Sequence, residues 1–71
     1  MRTARQPRKF KGETILRARQ ALQMSRARFA RLVGCSSYSV YMWETDQTEP
    51  DTKSLTRLAD TLNQTLDFFY E

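Results

Sequence analysis

Residues 25–44, SRARFARLVGCSSYSVYMWE, contain two short helical patterns separated by a glycine. Ser25 fits an N-cap, and apolar residues follow it at the three- and four-residue spacing of a helix. These apolar residues are Phe29, Ala30 and Val33. Gly34 comes directly after them, where a helix often ends in a left-handed conformation. Ser36 can cap a further helix that ends near Glu44, so this stretch predicts a helix, a tight turn and a second helix.

The flanking sequence predicts further helices and no credible strand. Before the quoted stretch, helical spacing starts at Glu13 and involves Ile15, Ala18 and Leu22. After it, residues 45–50 are polar and end in proline, which predicts a loop. Asp51 can cap a fourth helix that stops near Asn63 and has the apolar stripe Leu55, Leu58, Ala59 and Leu62. A last turn, residues 66–70, should close the core with Leu66 and Phe69. The predicted fold is all-α, a compact bundle of about five short helices.

The first twelve residues differ in composition from the rest. They include Pro7 and Gly12, and Phe10 is their only large apolar side chain. Such a segment buries too little apolar surface to offset its ordering entropy, so it predicts a flexible basic arm. The chain has 71 residues, enough for one domain. We therefore expect an arm over residues 1–12 and one helical domain over residues 13–71.

The composition argues against several classes of function. The chain has no histidine, and Cys35 is its only cysteine, which excludes an intramolecular disulfide and a zinc site of the usual Cys/His type. It also has no phosphate-binding glycine loop and no pair of carboxylates on one helix face. We therefore expect no enzyme activity, no cofactor and no metal. No run of about 18 apolar residues is present, so we expect no membrane partner and a cytoplasmic location.

The net charge of +4 is unevenly distributed. Residues 1–12 carry five basic and no acidic side chains, and residues 13–33 carry five arginines against one glutamate. Residues 34–71 carry seven acidic and two basic side chains. The basic N-terminal half favours binding to a polyanion. The alternative is that these basic side chains are ordinary solvated surface charges.

The spacing of particular residues resembles that of the Cro/C1-type (XRE-like) helix-turn-helix proteins of bacteria and phages. The resemblance covers roughly residues 15–69. It rests on Ile15, Arg19, Leu22, Met24, Ser25, Phe29, Ala30, Val33, Gly34, Cys35, Ser36, Val40, Trp43, Glu44, Pro50, Leu58, Ala59, Leu62 and Leu66. It implies a lambda-repressor-like domain and a sequence-specific, double-stranded DNA-binding transcriptional regulator. In such a protein the helix over residues 36–44 would lie in the major groove.

The resemblance also implies roles for individual residues. The family's buried ion pair would be formed by Arg19 and Glu44, and the alternative is an exposed, weak pair. The base-reading positions fall at Ser37, Tyr38 and Met42. Ser36, Ser39 and Tyr41 would flank them or contact the DNA backbone. Hydroxyl groups can bind base edges or phosphates, and methionine can contact a thymine methyl group. The alternative for the tyrosines and the methionine is core packing or a protein interface.

Two departures from the family's pattern change the expected backbone contacts. The family usually has glutamine at the start of its second helix, where this chain has Arg26, and we expect Arg26 to contact a phosphate or a guanine. The loop after Glu44 contains Asp46 and Glu49, where the family has glycine and basic residues, so contact with DNA should be weak there. The basic arm could supply the contacts with the DNA backbone that the loop lacks, through Arg2, Arg5, Arg8, Lys9 and Lys11. The alternative is a tail that adds only non-specific affinity.

A domain of this size contacts few base pairs, so we expect a homodimer on an inverted repeat. The dimer surface should include the C-terminal region, where Phe68, Phe69 and Tyr70 offer more apolar surface than one turn can bury. The alternative function is an antitoxin-like or adaptor module on the same fold. It would bind a protein partner through the acidic C-terminal half.

Overall fold

The computed structural model of the protein describes residues 8–71, which form four α-helices and one 3₁₀ turn. The helices are α1 Gly12–Ala21, α2 Arg26–Val33, α3 Ser37–Glu44 and α4 Thr52–Leu62, and the 3₁₀ turn is Leu66–Phe69. The prediction of a compact all-α bundle is confirmed. No helix within the described residues has the length and apolar character needed to cross a bilayer.

Three helices begin at the residues that the sequence predicts as caps. The side chains of Ser25, Ser36 and Asp51 accept backbone N–H groups of Arg28, Ser39 and Ser54 at 3.1, 3.0 and 2.8 Å. Each bond satisfies a donor that the first turn of a helix leaves unpaired, which stabilises the helix by about 1 kcal/mol. The hydrogen bond from Ser54 also lowers the pKa of the Asp51 carboxyl group from its usual value of 3.8, because it stabilises the ionised form. Helix starts were therefore predictable from local sequence.

The turn between α2 and α3 depends on the backbone of Gly34. Its φ angle is 91°, in the left-handed region that residues with a Cβ rarely adopt. The N–H groups of Gly34 and Cys35 both donate to the carbonyl of Ala30, at 2.8 and 2.9 Å. These bonds close the end of α2 and set the angle at which α3 leaves the turn. Asn63 ends α4 in the same conformation, with a φ angle of 55°.

One fully buried side chain from each element meets at the centre of the bundle. These side chains are Ile15, Phe29, Val40, Leu58 and Phe69, from α1, α2, α3, α4 and the 3₁₀ turn. The expectation that Leu66 also closes the core is wrong, because its side chain is about half exposed. The single 3₁₀ turn directs only Phe69 into the centre. The core thus holds α2 and α3 rigidly on the platform made by the other elements.

The segment just before α1 differs from the predicted flexible arm. Phe10 is only 5% exposed and forms an isolated antiparallel bridge with Tyr70, with the two rings edge to face. The N–H of Lys11 donates to the carbonyl of Phe69, and that of Glu71 to the carbonyl of Lys9, both at 2.9 Å. This segment is ordered because the Phe10 side chain packs against the C-terminal aromatic residues and buries its apolar surface there. Residues 9–11 therefore belong to the packed domain, and Arg2 and Arg5 lie outside the described residues.

Candidate nucleic-acid interface

Helix α3 has one buried face and one uncovered face. Val40 and Trp43 point into the bundle and are buried. On the other side Ser37 is exposed, Tyr38 is 67% exposed and Met42 is half buried. The structure therefore places the three predicted base-reading residues together on the outward side of α3, with the shape and polarity of a surface that could enter a major groove.

Two of the predicted flanking residues, Ser36 and Ser39, bond to each other at the start of α3. The Ser36 hydroxyl accepts the backbone N–H of Ser39 at 3.0 Å and donates to the Ser39 hydroxyl at 3.1 Å. The pair places two hydroxyl groups side by side at the beginning of α3.

The inner end of α3 is held by a cluster of three charged side chains, Arg19, Arg26 and Glu44, which we call the ionic joint. The carboxylate of Glu44 accepts from Arg19 Nε at 2.6 Å and from Arg19 Nη2 at 3.1 Å. It accepts a third hydrogen bond from Arg26 Nε at 2.8 Å. The structure thus brings Arg19 and Glu44 together as the resemblance implies, and adds Arg26 to the pair. The joint connects α1, the start of α2 and the end of α3.

The two arginines of the ionic joint are in different situations. All three guanidinium nitrogens of Arg19 donate hydrogen bonds, two to Glu44 and the third to the Met24 carbonyl at 2.8 Å. Arg26 uses only its Nε atom, and within residues 8–71 neither of its Nη atoms has a partner. Its guanidinium group lies over the ring of Tyr41, 5.2 Å from the ring centroid. Arg19 is therefore a structural residue, and Arg26 keeps two donors for a ligand.

The acidic side chain of Asp46 in the loop after α3 supports the fold. Its carboxylate Oδ1 accepts the N–H of Gly12 at 2.8 Å and so caps α1, whose own N-cap residue Lys11 gives no side-chain cap. A Cβ on Gly12 would lie 1.8 Å from the Trp43 carbonyl oxygen, so only glycine permits this close approach. Asp46 adopts a φ angle of 62°, which aspartate tolerates better than most residues. The negative charge of Asp46 therefore lies at the positive end of the α1 dipole, where it stabilises the helix.

The basic residues before α1 are divided between two places. Arg8 forms a 2.6 Å ion pair with Asp67 and lies 6.0 Å from the centroid of the Tyr70 ring, so it is held against the C-terminal segment. Lys9 and Lys11 are exposed, and Lys11 immediately precedes the α1 terminus that contacts the end of α3. Lys11 is therefore the basic residue that directly adjoins the contact between α1 and the end of α3.

The described residues show no arrangement suited to metal or thiol chemistry. Within residues 8–71 no group of three or more cysteine and acidic side chains could hold a metal ion. Burial raises the pKa of the Cys35 thiol, against a smaller opposite effect of the Arg57 charge, so the thiol stays protonated near neutral pH.

Two contacts of the site have no signal in the sequence. The bond of Arg26 to Glu44 and that of Asp46 to Gly12 join residues far apart in the chain. An unusual arginine at position 26 and an acidic residue at position 46 are visible, but their partners depend on how the helices pack. Sequence reasoning therefore identified both residues as departures from the family's pattern, but it did not identify their partners in the fold.

Comparisons with known proteins agree with this geometry. A family model described as helix-turn-helix matches residues 15–69. The crystal structure of the P22 c2 repressor protein in complex with synthetic operator 9T has a TM-score of 0.81 and 30% sequence identity, covering 86% of this chain and 92% of that chain. The solution structure of the P22 c2 repressor DNA-binding domain has a TM-score of 0.78 and 28% identity, covering 90% of this chain and 84% of that chain. No match was found among curated protein sequences.

Proposed function

Because the chain belongs to the Cro/C1-type helix-turn-helix family, we propose that it is a double-stranded DNA-binding transcriptional regulator that reads the major groove with α3. The uncovered outward face of α3 carries this proposal, since it presents hydroxyl and apolar side chains on a helix whose other face is fixed in the core. The repressor folds that resemble the chain support it further. They do not favour the alternative of an antitoxin-like or adaptor module. No catalytic step is part of the proposal.

We assign base recognition to Ser37, Tyr38 and Met42. The hydroxyl groups of Ser37 and Tyr38 can donate to or accept from base edges, and the Met42 side chain can pack on a thymine methyl group. Tyr38 should contribute most, because it is a large side chain that is 67% exposed. A mismatched base pair in a site that is read in this way should cost about 1–3 kcal/mol.

We assign contacts with the DNA backbone to residues around that face. They are Arg26, Ser36, Ser39, Lys9 and Lys11, with Arg2, Arg5 and Arg8 as further basic residues of the N-terminal segment, and Tyr41 flanks them beside Arg26. Such contacts release counterions from the DNA. The logarithm of the binding constant should therefore fall linearly with the logarithm of the salt concentration. Arg8 should contribute least of these cations, because Asp67 already neutralises it.

We propose a homodimer on an inverted repeat, since one domain contacts few base pairs. The predicted C-terminal dimer surface is reduced, because Phe69 is in the core and Tyr70 is paired with Phe10. Phe68 remains, beside a groove of about 440 Å³ at the ends of α1 and α4 that is also lined by Leu22 and Leu62. Sedimentation analysis of the complex should give two protomers per operator duplex. Such a regulator would act in the cytoplasm of a bacterium or of a phage-infected cell.

Selection of bound duplexes from a random pool tests the function directly. The native chain should enrich a defined inverted repeat and should bind it with a steep salt dependence. Tyr38→Ala and Met42→Ala should each change the preference at one base pair of a half-site. Leu32→Ala is the matched control, since Leu32 is also a well-exposed apolar residue but lies on α2.

Three results would contradict the proposal. Salt-sensitive binding without sequence preference would indicate a non-specific DNA-binding role. No binding to any duplex would favour the protein-interaction alternative. An enriched motif that Tyr38→Ala and Met42→Ala leave unchanged would show that α3 is not the reading helix.

A further inference from the structure

We propose that Tyr41 and Glu44 are positioning residues that hold Arg26 for a hydrogen bond to an acceptor on DNA. Tyr41 would then act on DNA binding through Arg26 and not through its own hydroxyl group. This inference rests on the proposed function, in which the ligand is DNA. It gives a further role to Tyr41, otherwise a flanking residue, and to Glu44, otherwise a structural residue of the ionic joint.

The geometry restrains the Arg26 guanidinium group in two independent ways. A hydrogen bond of 2.8 Å from Nε to the buried Glu44 carboxylate fixes one edge of the group. The Cζ atom of Arg26 lies over the Tyr41 ring, 5.2 Å from the ring centroid. A guanidinium group that is hydrogen-bonded at one edge and packed against a ring has little freedom left. The two Nη atoms, which have no partner in the described chain, are therefore held in a defined direction.

The charge of the ionic joint leaves Arg26 as the cation available to a ligand. Glu44 binds Arg19 through two hydrogen bonds, and Arg19 donates its remaining nitrogen to the Met24 carbonyl, so the charge of Arg19 is neutralised inside the fold. The joint has two arginines and one carboxylate, and its net charge is positive. The Arg26 side chain is 40% exposed, in contrast to 11% for Arg19. The excess positive charge therefore lies at the surface, at the start of α2.

Holding Arg26 before DNA arrives has a physical benefit. A free arginine side chain loses rotamer freedom when it is immobilised at an interface, and prior restraint reduces this loss. Tyr41 can supply the restraint because it follows Tyr38 by almost one helical turn and lies on the side of α3 towards the start of α2. The contact also links the two helices of the pair, so that α3 and Arg26 keep a fixed spacing.

A double-mutant cycle on the selected operator tests the inference. Tyr41→Phe keeps the ring and should bind as the native chain does. Tyr41→Leu removes the ring and should weaken binding about two- to tenfold, because Arg26 then loses its rotamer freedom only when DNA binds. Arg26→Gln should weaken binding about tenfold or more, through loss of a charge-assisted hydrogen bond. In the Arg26→Gln background, Tyr41→Leu should cause no further loss.

Tyr38→Leu is the matched control for Tyr41→Leu. It makes the same change on the same helix, at an exposed tyrosine that we assign to base reading. Its effect on affinity should persist in the Arg26→Gln background, because Tyr38 acts on DNA directly. Arg31→Gln is the control for Arg26→Gln, since Arg31 is an exposed arginine of α2 outside the ionic joint.

A second measurement uses the free protein and needs no DNA. The Tyr41 ring current should shift the NMR signals of the Arg26 side chain in the native chain and in Tyr41→Phe. Tyr41→Leu should remove this shift, and Tyr38→Leu should leave it in place.

The inference is overturned if Tyr41→Leu weakens binding equally in both Arg26 backgrounds, or if Tyr41→Phe weakens it as much as Tyr41→Leu. It is also overturned if the ring-current shift is absent from the native chain. Failure of the native chain to bind any duplex would instead refute the proposed function, and the NMR measurement would still decide whether Tyr41 holds Arg26.

Discussion

Two arginine–carboxylate contacts in this protein have the same length and very different surroundings. Arg19 and Glu44 are 2.6 Å apart inside the ionic joint, with side chains 11% and 1% exposed. Arg8 and Asp67 are also 2.6 Å apart, with side chains 46% and 77% exposed. Water solvates and screens the second pair, whereas the first has been removed from water and depends on its partners. The distance alone therefore says little about what each contact contributes.

The two regions around these contacts are also stabilised by different forces. The ionic joint connects three helices through hydrogen bonds to one carboxylate, and within residues 8–71 it leaves no buried side-chain polar atom without a partner. At the chain ends, Phe10 packs on the C-terminal segment and the ion pair lies outside this packing. We conclude that buried charge adds to apolar packing in holding α2 and α3, whereas apolar burial alone joins the two chain ends.

The largest effect should come from Glu44→Gln. The change removes the acceptor charge shared by Arg19 and Arg26 and leaves both arginines without a counterion. Loss of one partner of a buried pair costs about 3–5 kcal/mol. Urea denaturation should show a correspondingly lower free energy of unfolding. Asp67→Asn is the matched control, because it also converts a carboxylate into an amide. Equal effects of the two substitutions would refute the difference between the two regions.

Phe10→Ala should have the next largest effect, at about 3 kcal/mol, because it removes a buried aromatic side chain from the core. This result would show that the segment before α1 is part of the cooperative fold. Thermal unfolding followed by circular dichroism measures it. Lys9→Ala is the control, as Lys9 is the exposed neighbour of Phe10. If Phe10→Ala changes stability no more than this control, the segment is an arm and the packed domain begins at α1.

Asp46→Ala should destabilise the protein by about 1 kcal/mol, since α1 loses the acceptor that caps it. The left-handed backbone at this position adds to the loss. Asp46→Asn should restore most of the stability, because its amide oxygen can accept the same N–H of Gly12. Urea denaturation of the two variants makes the comparison. A greater loss with asparagine than with alanine would show that the cap is not what Asp46 contributes.

The smallest effect should come from Asp67→Asn, at less than about 1 kcal/mol. The exposed pair with Arg8 is screened by salt, so the difference from the native chain should shrink further as the salt concentration rises. Unfolding free energies at low and high salt provide the test. A salt-independent loss of several kcal/mol would mean that the chain ends are joined by charge.

Local features of the fold could be predicted from the sequence because their causes are local. The caps Ser25, Ser36 and Asp51 bond within their own first turns, and Gly34 ends α2 by its own backbone freedom. The outward position of Tyr38 follows from the spacing of Val40 and Trp43 on the opposite face. The structure agrees with these expectations since each depends on neighbours a few residues away.

The packing of the two chain ends against each other could not be predicted in this way. Phe10 is a single aromatic residue in a basic segment, and composition alone classifies such a segment as an arm. Its partner Tyr70 lies at the other end of the chain. The sequence shows that the C-terminal aromatic residues have more apolar surface than one turn can bury. Whether a second copy of the chain or Phe10 covers this surface depends on how the bundle packs.

The sequence by itself determined the helices, the starts of α2, α3 and α4 and the surface that α3 presents, because hydrogen bonds within a turn and helical periodicity act over a few residues. Only the tertiary structure decided which charges are used inside the fold. Glu44 joins two arginines and Asp46 caps α1, while the Nη atoms of Arg26 have no partner among residues 8–71. The physical reason is that the environment of a charge is set by every element packed around it, and those elements come from distant parts of the chain.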